Sequence, residues 1–508
     1  MRPALAASLV LSGSLVGCGD DPPVCATPAQ APLPVDGDLL GPDALPALDC
    51  VEGGLADLPG RWFVRDPDTL FTFSYPRYEG SCATGFRNPA APEDDADASD
   101  GRTRHTWTDG TRLFTRAWVR FASGDTVFYE RTSAQVTCVQ ADGTLAWAWA
   151  VDDLDRGPSS GTGVGTRFGR LDEPSKGLVQ VGALADDAGA AIVGYNVVVD
   201  EGRAYVVGPN GLHVIDVRDP AAPRALATLH GPGNDGFNDV RVVRGAGKVV
   251  AFASPLNADR TSVFDVTAPA SARRLADIPE YSHSLQVAAD GARTLLYLAT
   301  YDASVPVYDV SDPAQPVRLG APAVPGAASG VHDLTVDGRT IYVNYTEAGM
   351  VAMDVSRGLD QPGLEKGRIA TSYSHASWAA TIGGRRIVIH GDEGLTPDGG
   401  AFMRILDGDP ASPTFLHELA RWRTRAEVGI HNMMIVGTKA YVSYYQDGVR
   451  VVELADPAHP VEVAHYNTWD PDTAPGGGFE GAIGVRVADG LVYVADSAQG
   501  LVILRETP

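Results

Sequence analysis

Cysteine is scarce: the 508 residues hold five, and none follows Cys138. No C-x-x-C pair occurs, which argues against a cysteine-based metal site. Cations are in deficit as well. The 40 Lys and Arg stand against 64 Asp and Glu, a net charge of −24. Such a chain repels nucleic-acid phosphate and anionic membrane surfaces, so nucleic acid is not a partner. Beyond the N-terminus no stretch approaches ~18 uncharged apolar residues, and no transmembrane helix is expected. The chain is read as offering no G-x-S-x-G elbow, and no cysteine lies in 177–508, so nucleophilic catalysis finds little support. Gly161-Thr162-Gly163-Val164-Gly165 lacks the Lys-Ser/Thr of a phosphate loop. Turn formers are plentiful: Gly 57 and Pro 36 suit a fold with many turns, and 44% hydrophobic residues suffice for a real core.

The first residues read as an export signal. Arg2 is followed by the apolar stretch Ala4–Val16, too short to span a bilayer. It ends in Leu15-Val16-Gly17-Cys18, similar to the bacterial lipobox. The expectation is a lipoprotein signal over 1–17, lipidation at Cys18 and anchoring to the bacterial cell envelope. Gly19 rather than Asp follows the cysteine, which favours the outer membrane. Residues 18–49, rich in Pro, Asp and Ala, read as a flexible tether. Cys25, Cys50, Cys82 and Cys138 remain, an even number that suggests two disulfides with three pairings open.

From about residue 177 the chain repeats itself. The clearest copies are Leu212-His213-Val214-Ile215-Asp216-Val217 with Asp219-Pro220, Val307-Tyr308-Asp309-Val310 with Asp312-Pro313, and Val451-Val452-Glu453-Leu454 with Asp456-Pro457. Each lies behind another β-like run such as Ala204-Tyr205-Val206 or Ala440-Tyr441-Val442. Anchored on the start of the first strand, the equivalent positions are Tyr195, Asn238, His283, His332, His375, His431 and Ile483. The steps of 43, 45, 49, 43, 56 and 52 residues fit four-stranded propeller blades. The last unit ends after three strands, and the orphan run Gly177–Leu184 is expected to supply its fourth. The fold class is therefore all-β: a seven-bladed β-propeller over 177–508.

The Leu-Val-Ile-Val-Asp-like string before Asp-Pro-x-x-Pro resembles the LVIVD-repeat propeller proteins of bacterial surfaces. Ile430-His431-Asn432, Tyr444–Arg450 and Tyr466-Asn467-Thr468 are similar to the related choice-of-anchor B domain. The resemblance implies a propeller and a surface location, with Cys18 as the anchor here, and no particular reaction.

Ahead of the propeller, 50–150 carries strand-like runs and reads as a small disulfide-stapled β domain, with 151–176 as a Gly- and Ser-rich linker. The acidic run Glu93–Asp100 reads as a solvated loop or a calcium loop, although the EF-hand pattern is absent. The sharpest chemistry is the column His283, His332, His375 and His431, with Asn238 in the slot before. First strands line a propeller channel, so these side chains form an arc. They can hold a transition metal, bind a polar or anionic ligand, or form a structural polar belt. A second cluster, His390, Asp392 and Glu393, offers metal ligands, an acid–base pair, or a solvated loop. Two functions follow: a cell-envelope scaffold that binds a protein, glycan or small ligand, or a metal-dependent extracytoplasmic enzyme with Asp392 or Glu393 as base.

Overall fold

The computed structural model describes residues 45–58, 60–65, 70–75, 78–79, 82–83, 101–108, 111–123, 126–153, 157–187, 189–245, 247–327, 330–371, 373–393, 401–471 and 479–507. Cys18, Cys25, the acidic run Glu93–Asp100 and most of the insertion Leu395–Ala401 lie outside them. The described residues are all-β, and the chain divides into two compact units, Met1–Gly169 with Pro471–Gly478 and Arg170–Asp470 with Phe479–Pro508.

In the first unit, seven strands form one antiparallel sheet in the order Leu70–Tyr75, Gly60–Arg65, Gly157–Arg167, Leu145–Asp153, Thr126–Val139, Leu113–Ser123 and Gly101–Thr108. Leu58, Trp62, Leu113, Val139, Leu145 and Trp147 pack together beneath it. Trp62 donates its indole N–H to the Leu58 carbonyl at 2.8 Å, which satisfies the polar end of a buried ring. Cys50 and Cys138 are paired as a disulfide. The side chain of Cys82 is outside the described residues.

One expectation fails here. The stretch 151–176, read as a linker, contributes the strand Gly157–Arg167, which lies between Gly60–Arg65 and Leu145–Asp153. Its side chains are mostly exposed, so no apolar alternation marked it as a strand. The same strand carries Gly157-Pro158-Ser159-Ser160-Gly161, which matches G-x-S-x-G in letters. A nucleophile elbow needs a sharp strand-to-helix turn, and this segment is extended and paired.

The second unit is a β-propeller. Its described residues form seven four-stranded antiparallel sheets, one of them widened by the short strand Ser175–Lys176. The first strands of successive sheets adjoin one another, and Ala482–Ala488 of the seventh adjoins Asn196–Asp200 of the first, so the circle closes. The seventh sheet takes its outer strand from Leu178–Leu184, which pairs Leu178 with Glu506 and Leu184 with Leu501. This is the orphan run, in the place closure requires.

The repeat string is continuous rather than alternating because the third strand is covered on both faces. Every residue of Gly211–Asp216 is buried. Apolar clusters sit between neighbouring sheets: Tyr205, Val207 and Val214 of the first meet Val240, Ala251 and Phe264 of the second. Fourth strands such as Val317–Gly320 are largely exposed, as the outer edges should be.

The acids of the repeat have a structural task. Asp309 accepts the backbone N–H of Ser311 at 2.9 Å, Asp354 that of Ser356 at 2.7 Å, and Glu453 that of Ala455 at 2.9 Å. Asp219, Asp312 and Asp456 likewise accept the N–H two residues on, each at 3.1 Å. These are turn-forming bonds, in which a short carboxylate mimics a backbone carbonyl.

Candidate functional site

The column positions are aimed by a local irregularity. Asn238, His375 and Ile483 are each the extra residue of a β-bulge at the start of their first strand. In other sheets the equivalent residue lies just before the strand, and its N–H bonds the second strand: His283 to Ala299 at 2.6 Å, His332 to Asn344 at 2.8 Å, His431 to Ser443 at 3.1 Å. A bulge re-aims one side chain without ending the ladder.

The result is an unbroken arc of imidazoles. Ring centroids lie 4.2 Å apart for His283 and His332, 4.5 Å for His332 and His375, and 4.4 Å for His375 and His431. Asn238 extends the arc, its amide nitrogen 3.1 Å from His283 Nδ1. That amide donates, so His283 carries its proton on Nε2. At the other end His431 Nδ1 donates to the Ile483 carbonyl at 2.8 Å, which leaves its Nε2 lone pair free. Burial holds His283 and His431 at about 3 and His375 at about 4, and keeps His332 well below the ordinary histidine value. All four are neutral at physiological pH, the form that binds metals and accepts hydrogen bonds.

Tyrosines rim the arc, a feature sequence reasoning missed. Tyr301 lies 4.9 Å from His283 and 5.6 Å from His332, Tyr373 5.6 Å from His332, and Tyr445 5.3 Å from His431. Tyr281 stacks on Tyr301, and Phe479 packs on Tyr445. Tyr301 and Tyr445 both have positive φ, 61° and 40°, in a region costly for bulky residues. Tyr301 and Phe479 are exposed, so the arc opens to solvent there. A shared spacing was the available signal: Tyr281 and Tyr373 each precede a column histidine by two.

The second cluster is divided by strand alternation. Glu393 joins the arc, its Oε2 3.6 Å from His375 Nε2, and Tyr445 donates its hydroxyl to Oε1. Burial raises the Glu393 carboxyl. His390 and Asp392 point elsewhere and are fully buried, not a solvated loop. His390 Nε2 meets the Ser374 hydroxyl at 2.8 Å, and Asp392 pairs with Arg404 at 3.1 Å. They therefore take no part in the arc.

One position beyond the column, a polar belt ties sheets together. Asp239 accepts from Asn196 at 2.5 Å and from Ser284 at 2.9 Å, and Ser284 lies 2.6 Å from Asp333. Burial pushes Asp333 up to about 6. This belt is structural, because each group is engaged by its neighbour.

The family model described as the LVIVD repeat matches residues 194–228, 431–468 and 481–504. The chain carries LVIVD repeats. They fall on the first, sixth and seventh sheets, so His431 lies within a matched repeat. His283, His332 and His375 stand on the unmatched sheets between. No curated protein matches the chain. Solved structures with some likeness are Raptor from Chaetomium thermophilum (TM-score 0.48, 9% identity, 65% of this chain covered), the computationally designed Ika8 protein (0.41, 13%, 73%) and BamB from Moraxella catarrhalis (0.40, 13%, 63%). The chain covers 29% of that Raptor chain, 92% of Ika8 and 84% of that BamB chain. Across the LVIVD repeats the conspicuous acids serve turns, and the histidine column is the chemistry left over.

Proposed function

We propose that this chain is a cell-envelope lipoprotein, anchored through Cys18, whose seven-bladed propeller is a binding scaffold. Its ligand face is the histidine arc with the tyrosine rim. The ligand is a protein, glycan or small molecule. The observation that carries this reading is the continuity of the arc: four neutral imidazoles from four successive sheets at 4.2–4.5 Å, opening beside the exposed ring of Tyr301. Aromatic faces stack on flat or apolar ligand surfaces, and neutral imidazoles both donate and accept. Such convergent polar groups beside aromatics are the usual makings of a ligand site. The lipobox-like Leu15–Cys18 supports the anchor.

The test is a fragment and oligosaccharide screen by ligand-observed NMR on the full chain in detergent micelles. Hits should bind the wild type and weaken at least tenfold in Tyr301→Ala and His283→Asn. Hits that survive both substitutions unchanged overturn the assignment of the face. Labelled palmitate should enter the wild type and not Cys18→Ser; equal labelling overturns the anchor.

A further inference from the structure

We propose that His332, His375 and Glu393 hold one divalent transition-metal ion of the zinc or ferrous class, with open coordination positions toward the tyrosine rim. The inference rests on the arc being the ligand face. One ring nitrogen of His332, one of His375 and one Glu393 carboxylate oxygen all lie within 4.8 Å of one another. Ligands about 2.1 Å from a tetrahedral ion stand roughly 3.4 Å apart. The 3.6 Å between His375 Nε2 and Glu393 Oε2 already fits that spacing. His332 then needs only a small side-chain adjustment.

Three further observations point the same way. His332 Nδ1 is buried and has no hydrogen-bond partner among the described residues. Buried orphan nitrogens call for an unseen ligand or water. Tyr445 donates to Glu393 Oε1 and so orients the carboxylate with Oε2 toward the histidines, the outer-shell support that metal carboxylates use. Finally, two histidines and one carboxylate leave coordination positions open, the pattern of sites that bind an exogenous molecule on the metal. A plain His375–Glu393 ion pair would leave the buried His332 Nδ1 unexplained.

A second trio shows what a spent cluster looks like. Asp172, Glu462 and His465 are equally close. Yet Arg450 sits on both carboxylates, at 2.7 and 3.3 Å. His465 uses Nδ1 on Glu462 at 2.8 Å and Nε2 on the Glu173 carbonyl at 3.0 Å. Both ring nitrogens are engaged and the Arg450 guanidinium already neutralises the two acids, so that trio is a structural network.

The experiment strips the full chain in detergent with a chelator and then titrates it with Co²⁺ and Zn²⁺. Visible d–d bands and elemental analysis are the readouts. One Co²⁺ per chain is expected, displaced by Zn²⁺. Affinity should fall at least 100-fold in Glu393→Gln and His332→Ala, and about tenfold in Tyr445→Phe. Circular dichroism verifies folding, and the near-isosteric Glu393→Gln keeps the test valid if His332→Ala misfolds. No retained Co²⁺ in the wild type, or equal affinity in Glu393→Gln, overturns the site. If NMR hits still depend on Tyr301 in a protein that binds no metal, the metal falls and the ligand face stands. If metal binds but no hit depends on Tyr301 or His283, the ligand face falls instead.

Discussion

His431 donates from Nδ1 to the carbonyl of Ile483 at 2.8 Å, a bond from the sixth sheet to the seventh. A column histidine is thereby made a fixed, uncharged strut between neighbouring blades. That has a pH consequence. His283 and His431 titrate at about 3 and His375 at about 4 in the fold, against 6.5 when unfolded. Below pH 6.5 the unfolded chain takes up protons that the folded chain refuses. Stability present above pH 6.5 is therefore lost as pH falls, and the loss levels off near pH 3. Asp333 and Asp392, raised to about 6 by burial, act in the opposite sense. The readout is accordingly a difference: in urea unfolding between pH 7.5 and 4.5, His431→Gln should show a slope shallower by up to about 1.4 kcal/mol per pH unit. Parallel curves would contradict the neutral strut.

The closing strand predicts a steric weakness. A Cβ on Gly182 would meet the Pro220 carbonyl oxygen at 2.1 Å, against backbone that cannot easily yield. Gly182→Val should cost about 1–3 kcal/mol and expose the edge of Gly500–Glu506, with association visible by size-exclusion chromatography. Gly245→Ala, where a Cβ meets nothing within 4 Å, is the control and should unfold with the wild type.

The repeat acids should behave as turn formers. Asp309 accepts from the N–H of Ser311 at 2.9 Å and its hydroxyl at 2.6 Å. Asp309→Ala should lose about 1 kcal/mol, while Asp309→Asn, which can make the same turn, should lose much less. Metal and fragment binding should be unchanged in both. A binding defect in Asp309→Asn would give these acids a functional role.

Cys50 and Cys138 close a loop with a sequence separation of 88. On the chain-entropy account that constraint contributes about 4–5 kcal/mol to the first unit. Cys50→Ser should lower the transition of that unit and leave the propeller transition in place. A single unchanged melting profile would show the pairing to be unimportant.

The architecture was legible because its signals are local and recurrent. A third strand covered on both faces must be largely apolar, so Val214-Ile215 and Val451-Val452 announce it. The orphan strand was legible from arithmetic, since the last unit lacked a fourth strand. The histidine column was legible as a spacing, but its aim was not: the bulges at Asn238, His375 and Ile483 have no sequence mark. Glu393 and Asp392 looked like one cluster because they are adjacent. Strand alternation sends them to opposite sides, a separation visible only once the end of Arg385–Asp392 is known. The strand Gly157–Arg167 was hidden by its small, polar residues.

The pairing of Leu178–Leu184 with Gly500–Glu506 sets a timetable. The first-made strand of the circle has its partner in the last. About 300 residues of chain lie between them, which at ordinary synthesis rates is roughly 15–60 s of elongation. Throughout that interval six sheets can form, but the early strand has no neighbour to zip against. Its exposed Val179 must be kept from foreign strands for as long as the ribosome takes to finish. The latch that makes the finished circle durable is therefore the point at which the nascent protein is most exposed to aggregation.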